Sequence, residues 1–210
     1  MMADTLARFP LDHARLAEVV AERRRAGGRI VFTNGVFDLL HFGHIQCLRR
    51  ARALGDMLVI GMNSDASTRR LKGPERPLVP QEERASLLAE LRMVDAVTIF
   101  DDDTASPLIE LLRPDIYVKG GDYATPDAAS APREYVVGPD DLRRLVESEA
   151  PRDLALAPLA GLPARLPEAT TVAAYGGGLA LLAYLPGHST SELIQRIVSR
   201  YVQSGAETDL

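Results

Sequence analysis

The chain lacks the cysteine pairs of a disulfide-bonded protein, because Cys47 is its only cysteine. A single thiol excludes an internal disulfide and fits a reducing compartment. Cys47 lies in a segment with helical spacing, where the expected role is that of a small packed side chain. No apolar run approaches the roughly 18–20 residues that cross a bilayer, and residues 1–10 carry no apolar signal-peptide stretch. These absences predict a cytoplasmic protein with no membrane partner.

Basic residues are outnumbered by acidic ones, 24 to 29, which gives a net charge of -5 and a pI near 5.4. A general nucleic-acid binder needs a basic face, so we expect no nucleic-acid partner. Lysine is scarcer still, since Lys72 and Lys119 are the only lysines among 24 basic residues. Both lie in glycine-containing loops, where backbone can approach a ligand closely. A lysine ammonium at such a place is suited to contact a phosphate.

Apolar residues are plentiful, at 46% of 210 residues, and they fall in short runs that alternate with helical patterns. This alternation predicts an α/β fold, a Rossmann-like, doubly wound, parallel five-stranded sheet with helices on both faces. Residues 1–28 are predicted to form an N-terminal segment with an amphipathic helix at 11–26. A single domain at 29–210 follows it. The five strands are predicted at 29–33, 57–62, 94–100, 115–119 and 179–185.

A Pro/Ala-rich insertion at about 125–169 interrupts this domain before its last strand. Half of the 14 prolines fall here, and only 142–146 has the pattern of a short helix. Long loops in compact domains are usually functional or mobile. We favour the interpretation that the insertion is structural filler over one in which it is a lid or a dimer contact. Whether the protein forms a homodimer stays open. On that interpretation, deletion of residues 128–166 leaves a folded protein.

The most informative segment is Thr33-Asn34-Gly35-Val36-Phe37-Asp38-Leu39-Leu40-His41-Phe42-Gly43-His44. It follows a predicted strand and leads into a helix. Free backbone N–H groups and the helix dipole converge at such a turn, which makes it a natural anion site. His41 and His44, three residues apart on the first turn, add side-chain donors for the same anion. The pattern therefore favours phosphate chemistry.

Three other segments also follow predicted strands: Asn63-Ser64-Asp65, Lys119-Gly120-Gly121-Asp122 and Gly187-His188-Ser189-Thr190. In parallel sheets the carboxyl ends of the strands share one edge, and ligands bind there. We therefore expect these segments to meet the histidines. The acidic run Asp101-Asp102-Asp103 precedes a predicted helix at Thr104, so we interpret it as a helix cap rather than a metal site.

The segment with His41 and His44 resembles the signature of nucleotidyltransferases that carry an H-x-G-H motif. With the segments at 63–73, 118–123 and 187–191, the chain looks most like the adenylyltransferase domain of ADP-heptose synthesis enzymes. The similarity covers about residues 27–124 and 170–200. Phe42 departs mildly from the family, whose residue here is usually small. Tyr184 stands where glycerol-phosphate cytidylyltransferases carry an arginine, so they resemble this chain less.

The resemblance implies a reaction in which AMP passes from ATP to a sugar 1-phosphate, most favourably heptose 1-phosphate, with release of pyrophosphate. His41 and His44 would bind charge on the α- and β-phosphates, and Lys72 would bridge the α-phosphate and the acceptor. Mg²⁺ would enter with ATP, held by the triphosphate rather than by a dedicated protein site. The implied nucleotide-binding residues are Thr33, Asn34, Gly35, Phe37, Asp38, Gly43, Lys119, Gly120, Asp122, Ser189 and Thr190. Those implied for the substrate phosphate are Asn63, Asp65 and Arg84.

Two alternatives remain open from the sequence. The first keeps the chemistry but uses CTP with a polyol or amino-alcohol phosphate. The second is a nucleotide-binding regulatory protein without turnover, against which the intact histidines and lysines weigh.

Overall fold

The computed structural model describes residues 10–120, 134–147, 153–183, 185 and 187–201. Within them, every helix is too short or too polar to span a bilayer. The first half comprises α1 His13–Arg25, β1 Ile30–Gly35, α2 Phe42–Arg52, β2 Met57–Asn63, α3 Asp65–Lys72, α4 Gln81–Ala89, β3 Ala96–Phe100, α5 Ser106–Leu112 and β4 Ile116–Gly120. The second half comprises β5 Tyr135–Val137, α6 Pro139–Val146, a 3-10 helix Leu154–Leu159, α7 Leu162–Arg165, α8 Glu168–Ala174, β6 Gly178–Leu182 and α9 Thr190–Tyr201.

The described strands form one sheet in the order β3-β2-β1-β4-β6-β5. Strands β3, β2, β1, β4 and β6 are parallel to one another, and the edge strand β5 pairs antiparallel with β6. The predicted doubly wound α/β fold is confirmed, with six strands in place of five. Because β1 lies between β2 and β4, the chain winds outward from β1 in both directions. The carboxyl end of β1 is therefore the point where a ligand cleft opens.

Helices cover both faces of the sheet, because successive strand side chains point to opposite faces. On one face α1, α5, α6, α7 and α8 pack over residues such as Ile30 and Phe32. On the other, α2 and α4 pack over residues such as Val31 and Ile60. Leu16 and Val20 of α1 are fully or almost fully buried, so this amphipathic helix belongs to the same core.

The Pro/Ala-rich insertion is not filler, and this expectation from the sequence was wrong. Its predicted short helix is present as α6, but the described residues around it are also ordered into β5, the 3-10 helix, α7 and α8. They contribute apolar side chains to the same core as α1 and α5, since the leucine spacing matches helices that lie on the sheet. The large apolar side chains that this segment buries, among the described residues, are Tyr135, Val137, Leu142, Leu145, Leu156, Leu159, Leu162 and Leu166.

Candidate active site

A cleft of about 760 Å³ opens at the carboxyl ends of β1 and β4. A smaller cavity of about 420 Å³ lies beside Arg29 and Asp115, at the amino ends of the same strands, and contains none of the predicted site residues. The larger cleft brings together segments from the whole chain. The predicted residues that line it are Thr33, Asn34, Gly35, Phe37, Asp38, His41, Gly43, His44, Asn63, Lys72, Lys119, Gly120, Ser189 and Thr190. Asp65 and Arg84 do not line it, and Asp122 falls outside the described residues.

The turn between β1 and α2 is tightly wound. Phe37 has a φ of 50°, in the left-handed region that side chains other than glycine seldom occupy. A Cβ on Gly35 would lie 3.1 Å from the Phe37 ring, so these two residues pack directly against each other. The Phe37 ring also lies 5.2 Å from the His44 ring, measured between centroids. The turn thus holds its backbone in one conformation beside the histidines.

His41 and His44 form a stacked pair at the start of α2, with ring centroids 3.8 Å apart. The backbone N–H of His41 donates to Nδ1 of His44 at 3.4 Å. Burial, with the charge of His41 as a smaller cause, lowers the pKa of His44 to about 4. His44 is therefore neutral at pH 7, and because Nδ1 accepts a hydrogen bond, its Nε2 carries the ring N–H. His44 faces the cleft as a neutral hydrogen-bond donor.

His41 differs from His44 in its surroundings. Its Nδ1 is buried without a hydrogen-bond partner among the described residues, so Nε2 is the nitrogen that a ligand can reach. Burial lowers the pKa of His41, the charge of His188 lowers it further, and the carboxylate of Glu192 opposes the shift. Both rings thus favour the neutral state in the free protein.

Gly43 is fixed by a close backbone contact. A Cβ at this position would lie 2.5 Å from the carbonyl oxygen of His188 and 3.0 Å from the His41 ring. The first turn of α2 and the loop before α9 can therefore approach only because residue 43 has no side chain. Phe42 is half-exposed and does not line the cleft, although its ring lies near that of His188, which does.

We expect Gly43→Ala to abolish most nucleotide binding, because the methyl group must push the Gly187–Thr190 loop away from α2. Calorimetric titration with ATP would measure this loss. Gly138→Ala is the matched control, since a Cβ there meets nothing within 4 Å and its φ of -69° suits any residue. Equal ATP affinity in the two variants would contradict the assigned role of Gly43.

Lys119 is held in place by the end of β1. Its Nζ lies 3.0 Å from Oδ1 of Asn34, and the same oxygen accepts from the Tyr117 hydroxyl at 2.7 Å. The Thr33 hydroxyl donates to the Val118 carbonyl at 3.0 Å, which joins β1 to β4 just below the cleft. Asn34 and Thr33 therefore position the strand ends and the ammonium, while Lys119 brings positive charge to the cleft.

Asp38 is buried and its carboxylate is used within the protein. It forms an ion pair with Arg76 and accepts from the N–H groups of Leu78 at 2.7 Å and Val79 at 2.9 Å. These bonds fix the loop between α3 and α4 against the H-x-G-H turn. Asp38 lines the cleft, but its oxygens hold the loop that follows Lys72.

Arg84 is not available for a substrate phosphate, which corrects the expectation from the sequence. Its side chain is fully buried, and its guanidinium donates to the carbonyls of Val36, Val79 and Asn63. It also forms an ion pair with Asp65 at 2.6 Å. Arg84 therefore ties the ends of β1 and β2 together. Asp65 is occupied by the same contact.

Asn63 reaches the cleft, although its side chain is buried and its amide donates to the Ser67 hydroxyl at 3.0 Å. Lys72, the last residue of α3, is exposed at the cleft wall. Of the four residues expected to contact the acceptor phosphate, Lys72 is the one with an exposed charge in the cleft.

The N-terminus of α9 carries its own anionic group. The N–H of Ser189 donates to the Glu192 carboxylate at 2.8 Å, and the N–H of Glu192 donates to the Ser189 hydroxyl at 3.1 Å. This reciprocal cap satisfies two free amides of the helix. The hydrogen bonds from Ser189 lower the pKa of Glu192. Ser189 and Thr190 line the cleft as predicted, with a carboxylate beside them.

The acidic run after β3 does not begin a helix, because α5 starts at Ser106. Asp101 and Asp103 pair instead with Arg70, and Asp101 also accepts from the Ser64 hydroxyl. In the part of the chain that the structure describes, no three His, Cys, Asp or Glu side chains are grouped as a metal site would require.

Among the cleft residues that sequence reasoning missed are two carboxylates, Glu168 and Glu192. Glu192 follows a Ser-Thr-Ser turn, so a capping-box pattern at 189–192 could have identified it. Glu168 reaches the cleft from the Pro/Ala-rich insertion, where no local pattern marks it. Cys47 also lines the cleft, and burial raises the pKa of its thiol.

The comparisons with known proteins fit this geometry. The family model described as cytidylyltransferase-like matches residues 32–196. The bifunctional protein HldE of Syntrophotalea carbinolica is 47% identical over 188 residues, which is 90% of this chain and 31% of that protein. HldE of Geobacter sulfurreducens is 44% identical over 186 residues, 89% of this chain and 30% of that protein. The chain thus spans about three tenths of the length of these curated relatives.

A solved structure, the lipopolysaccharide core biosynthesis protein from Thermoplasma volcanium GSS1, is 35% identical with a TM-score of 0.42. The match covers 46% of this chain and 77% of that one. The family model alone spans more than half of the chain and includes both histidines, Lys72, Lys119 and the start of α9. The chain belongs to the cytidylyltransferase-like family, which confirms the resemblance first suggested by its H-x-G-H segment.

Proposed function

We propose that this protein is a nucleotidyltransferase that transfers AMP from ATP to a sugar 1-phosphate, most favourably heptose 1-phosphate, and releases pyrophosphate. The observation that carries the proposal is the pair of neutral histidines at the N-terminus of α2, facing a cleft that also contains Lys72 and Lys119. The choice of ATP and of a heptose rests on the sequence resemblance to ADP-heptose synthesis enzymes. The name HldE of the curated relatives supports the same choice.

The reaction needs no covalent enzyme intermediate. A phosphate oxygen of the acceptor attacks the α-phosphorus of ATP, a new P–O bond forms, and the bond to the β-phosphate oxygen breaks as pyrophosphate leaves. Negative charge grows on the α-phosphate oxygens and on the leaving oxygen. In this proposal, the Nε2–H of His44 and Nε2 of His41 donate to these oxygens. Lys72 offsets the repulsion between the two anions as they approach each other. Catalysis of this kind depends on positioning and electrostatics.

A divalent metal ion is expected with ATP in this family, and we propose Mg²⁺. It would neutralise charge on the triphosphate. Glu192 and Asp103 bring carboxylates to the cleft, which fits a hydrated ion held chiefly by phosphate oxygens and water. We further propose that the enzyme works in the cytoplasm on small phosphorylated substrates, without nucleic acid. We also propose that residues 29–210 are the catalytic domain and that residues 1–28 supply the N-terminal helix that packs on it.

One assay tests the proposal directly. Pyrophosphate release is measured with ATP, CTP, GTP and UTP, each against a panel of heptose 1-phosphate, hexose 1-phosphates, glycerol 3-phosphate and phosphocholine. We expect release with ATP and heptose 1-phosphate, and an ADP-sugar as the second product. Release with CTP and a polyol phosphate would support the cytidylyltransferase alternative. Binding of nucleotide without release for any pair would support the regulatory alternative.

Lys72→Ala should lower turnover and acceptor affinity more than Lys72→Arg does, and neither variant should be fully active. Arginine keeps the positive charge, but its planar guanidinium presents different donors from the compact ammonium. Steady-state kinetics with both substrates varied would measure the two effects. Glu75→Ala, in the loop that follows Lys72 and away from the cleft, is a suitable control. A fully active Lys72→Ala enzyme would exclude the assigned role.

A further inference from the structure

Three charged side chains are buried among the described residues: Asp38, Arg84 and Glu168. Two of them are fully used inside the protein. Asp38 pairs with Arg76 and Arg84 pairs with Asp65, and each has backbone hydrogen bonds as well. Glu168 differs, because no basic side chain of the described residues lies within ion-pair distance of it.

Glu168 is the first residue of α8 and is 7% exposed. Its Oε1 accepts from the backbone N–H of Ala105 at 3.2 Å, just before α5. The contact caps α5 but occupies only one of about four acceptor positions on the carboxylate. A buried carboxylate without a counter-ion is costly and needs other donors to offset its desolvation. Glu168 also lines the cleft, and its Oε2 is not among the buried unpartnered atoms of the described residues, so the cleft is where further donors can reach it.

The position of Glu168 in the cleft indicates which donors these are. α8 packs on one face of the sheet, whereas α2 with His41 and His44 packs on the other. Glu168 thus faces the histidines across the carboxyl ends of the central strands. A carboxylate there repels phosphate groups, which the histidines and lysines attract. The ligand part that fits beside Glu168 is uncharged and rich in O–H donors.

We infer that Glu168 determines acceptor specificity by binding hydroxyl groups of the sugar. This inference rests on the proposed function and adds to it the residue that selects a polyhydroxylated acceptor. A carboxylate can accept hydrogen bonds from two neighbouring hydroxyls, and charge-assisted bonds of this type are the stronger ones. The Pro/Ala-rich insertion therefore supplies part of the acceptor pocket.

Glu168→Gln is the sharpest test, because the amide keeps the side-chain shape and one oxygen that can still cap Ala105. We expect the KM for the sugar phosphate to rise roughly tenfold or more, as for loss of a hydrogen bond to a charged group. The KM for ATP and kcat should change less than about threefold, the range of a small indirect effect. Thr171→Val is the matched control, because Thr171 also links α8 to α5, through the Ser106 hydroxyl, but does not line the cleft.

A second arm uses deoxy analogues of the sugar phosphate. If Glu168 binds a hydroxyl, removal of that hydroxyl should weaken the wild type more than it weakens Glu168→Gln. Glu168→Asp, which keeps the charge on a shorter side chain, serves if the glutamine variant does not fold, and is judged by the same ratio. An unchanged acceptor KM in an otherwise active variant would overturn the inference. Absence of pyrophosphate release in the wild type with every sugar phosphate would instead overturn the proposed function.

Discussion

His41→Ala and His44→Ala are each expected to lower turnover by roughly 10²–10³, the usual effect of removing one donor aimed at developing charge. His44 acts as a neutral donor, because burial lowers its pKa to about 4, and its Nε2–H is held toward the cleft by the bond from the His41 backbone to Nδ1. His41 offers Nε2 from the adjacent position. Single-turnover rates of pyrophosphate formation would measure the loss free of product release.

The fold should survive both substitutions, because neither ring belongs to the buried apolar core. Circular dichroism and thermal melts would verify this. His13→Ala provides the control, since its exposed ring contacts the Ile99 carbonyl at 3.1 Å and lies outside the cleft. Near-normal turnover in both cleft variants would refute the mechanism, whatever the ATP affinity.

Deletion of residues 134–166, bridged by a short Gly/Ser linker, is expected to prevent folding. The deleted segment buries eight apolar side chains in the core shared with α1 and α5. Each fully buried side chain of this type contributes about 1.5–3 kcal/mol. Their sum is of the same order as the whole net stability of a domain, about 5–15 kcal/mol. The deletion also exposes the edge of β6, to which β5 is paired.

A graded test avoids reliance on an unfolded variant. Leu142→Ala, at a fully buried position of α6, should lower the free energy of unfolding by about 2–5 kcal/mol. Val136→Ala, on β5 but with its side chain 63% exposed, should change it by less than about 0.5 kcal/mol. Urea unfolding measures both. A folded deletion protein, or equal effects of the two substitutions, would return the segment to the status of filler.

Local patterns were sufficient for much of the fold. The strand, turn and helix around His41 and His44 are consecutive in sequence, so period and capping rules predicted them. The predicted strands at 57–62 and 115–119 differ from β2 and β4 by about one residue at either end, the usual margin for such boundaries. The shared cleft followed because all carboxyl ends of parallel strands lie at one edge.

The errors came from contacts between residues distant in the chain. Arg84 was expected to contact the substrate phosphate, but its partners include the carbonyls at positions 36 and 63, which the tertiary fold brings around it. Glu168 caps a helix 63 residues earlier in the chain. β5 is only three residues long and follows a proline-containing stretch, so its pairing with β6 has no local signal. Proline and alanine content indicated a loop where long-range packing decided the structure.

The residues that line the cleft come from distant parts of the chain, with His41 in the first quarter of the sequence and Ser189 in the last. The cleft exists only while the whole sheet is folded, so a ligand that touches both segments binds the native state and not the unfolded one. Binding and folding are then thermodynamically linked. Ligand at about 100 times its dissociation constant adds about 2.7 kcal/mol to stability. A melting curve of this protein therefore doubles as a ligand screen, and a nucleotide can restore the fold of a weakened variant.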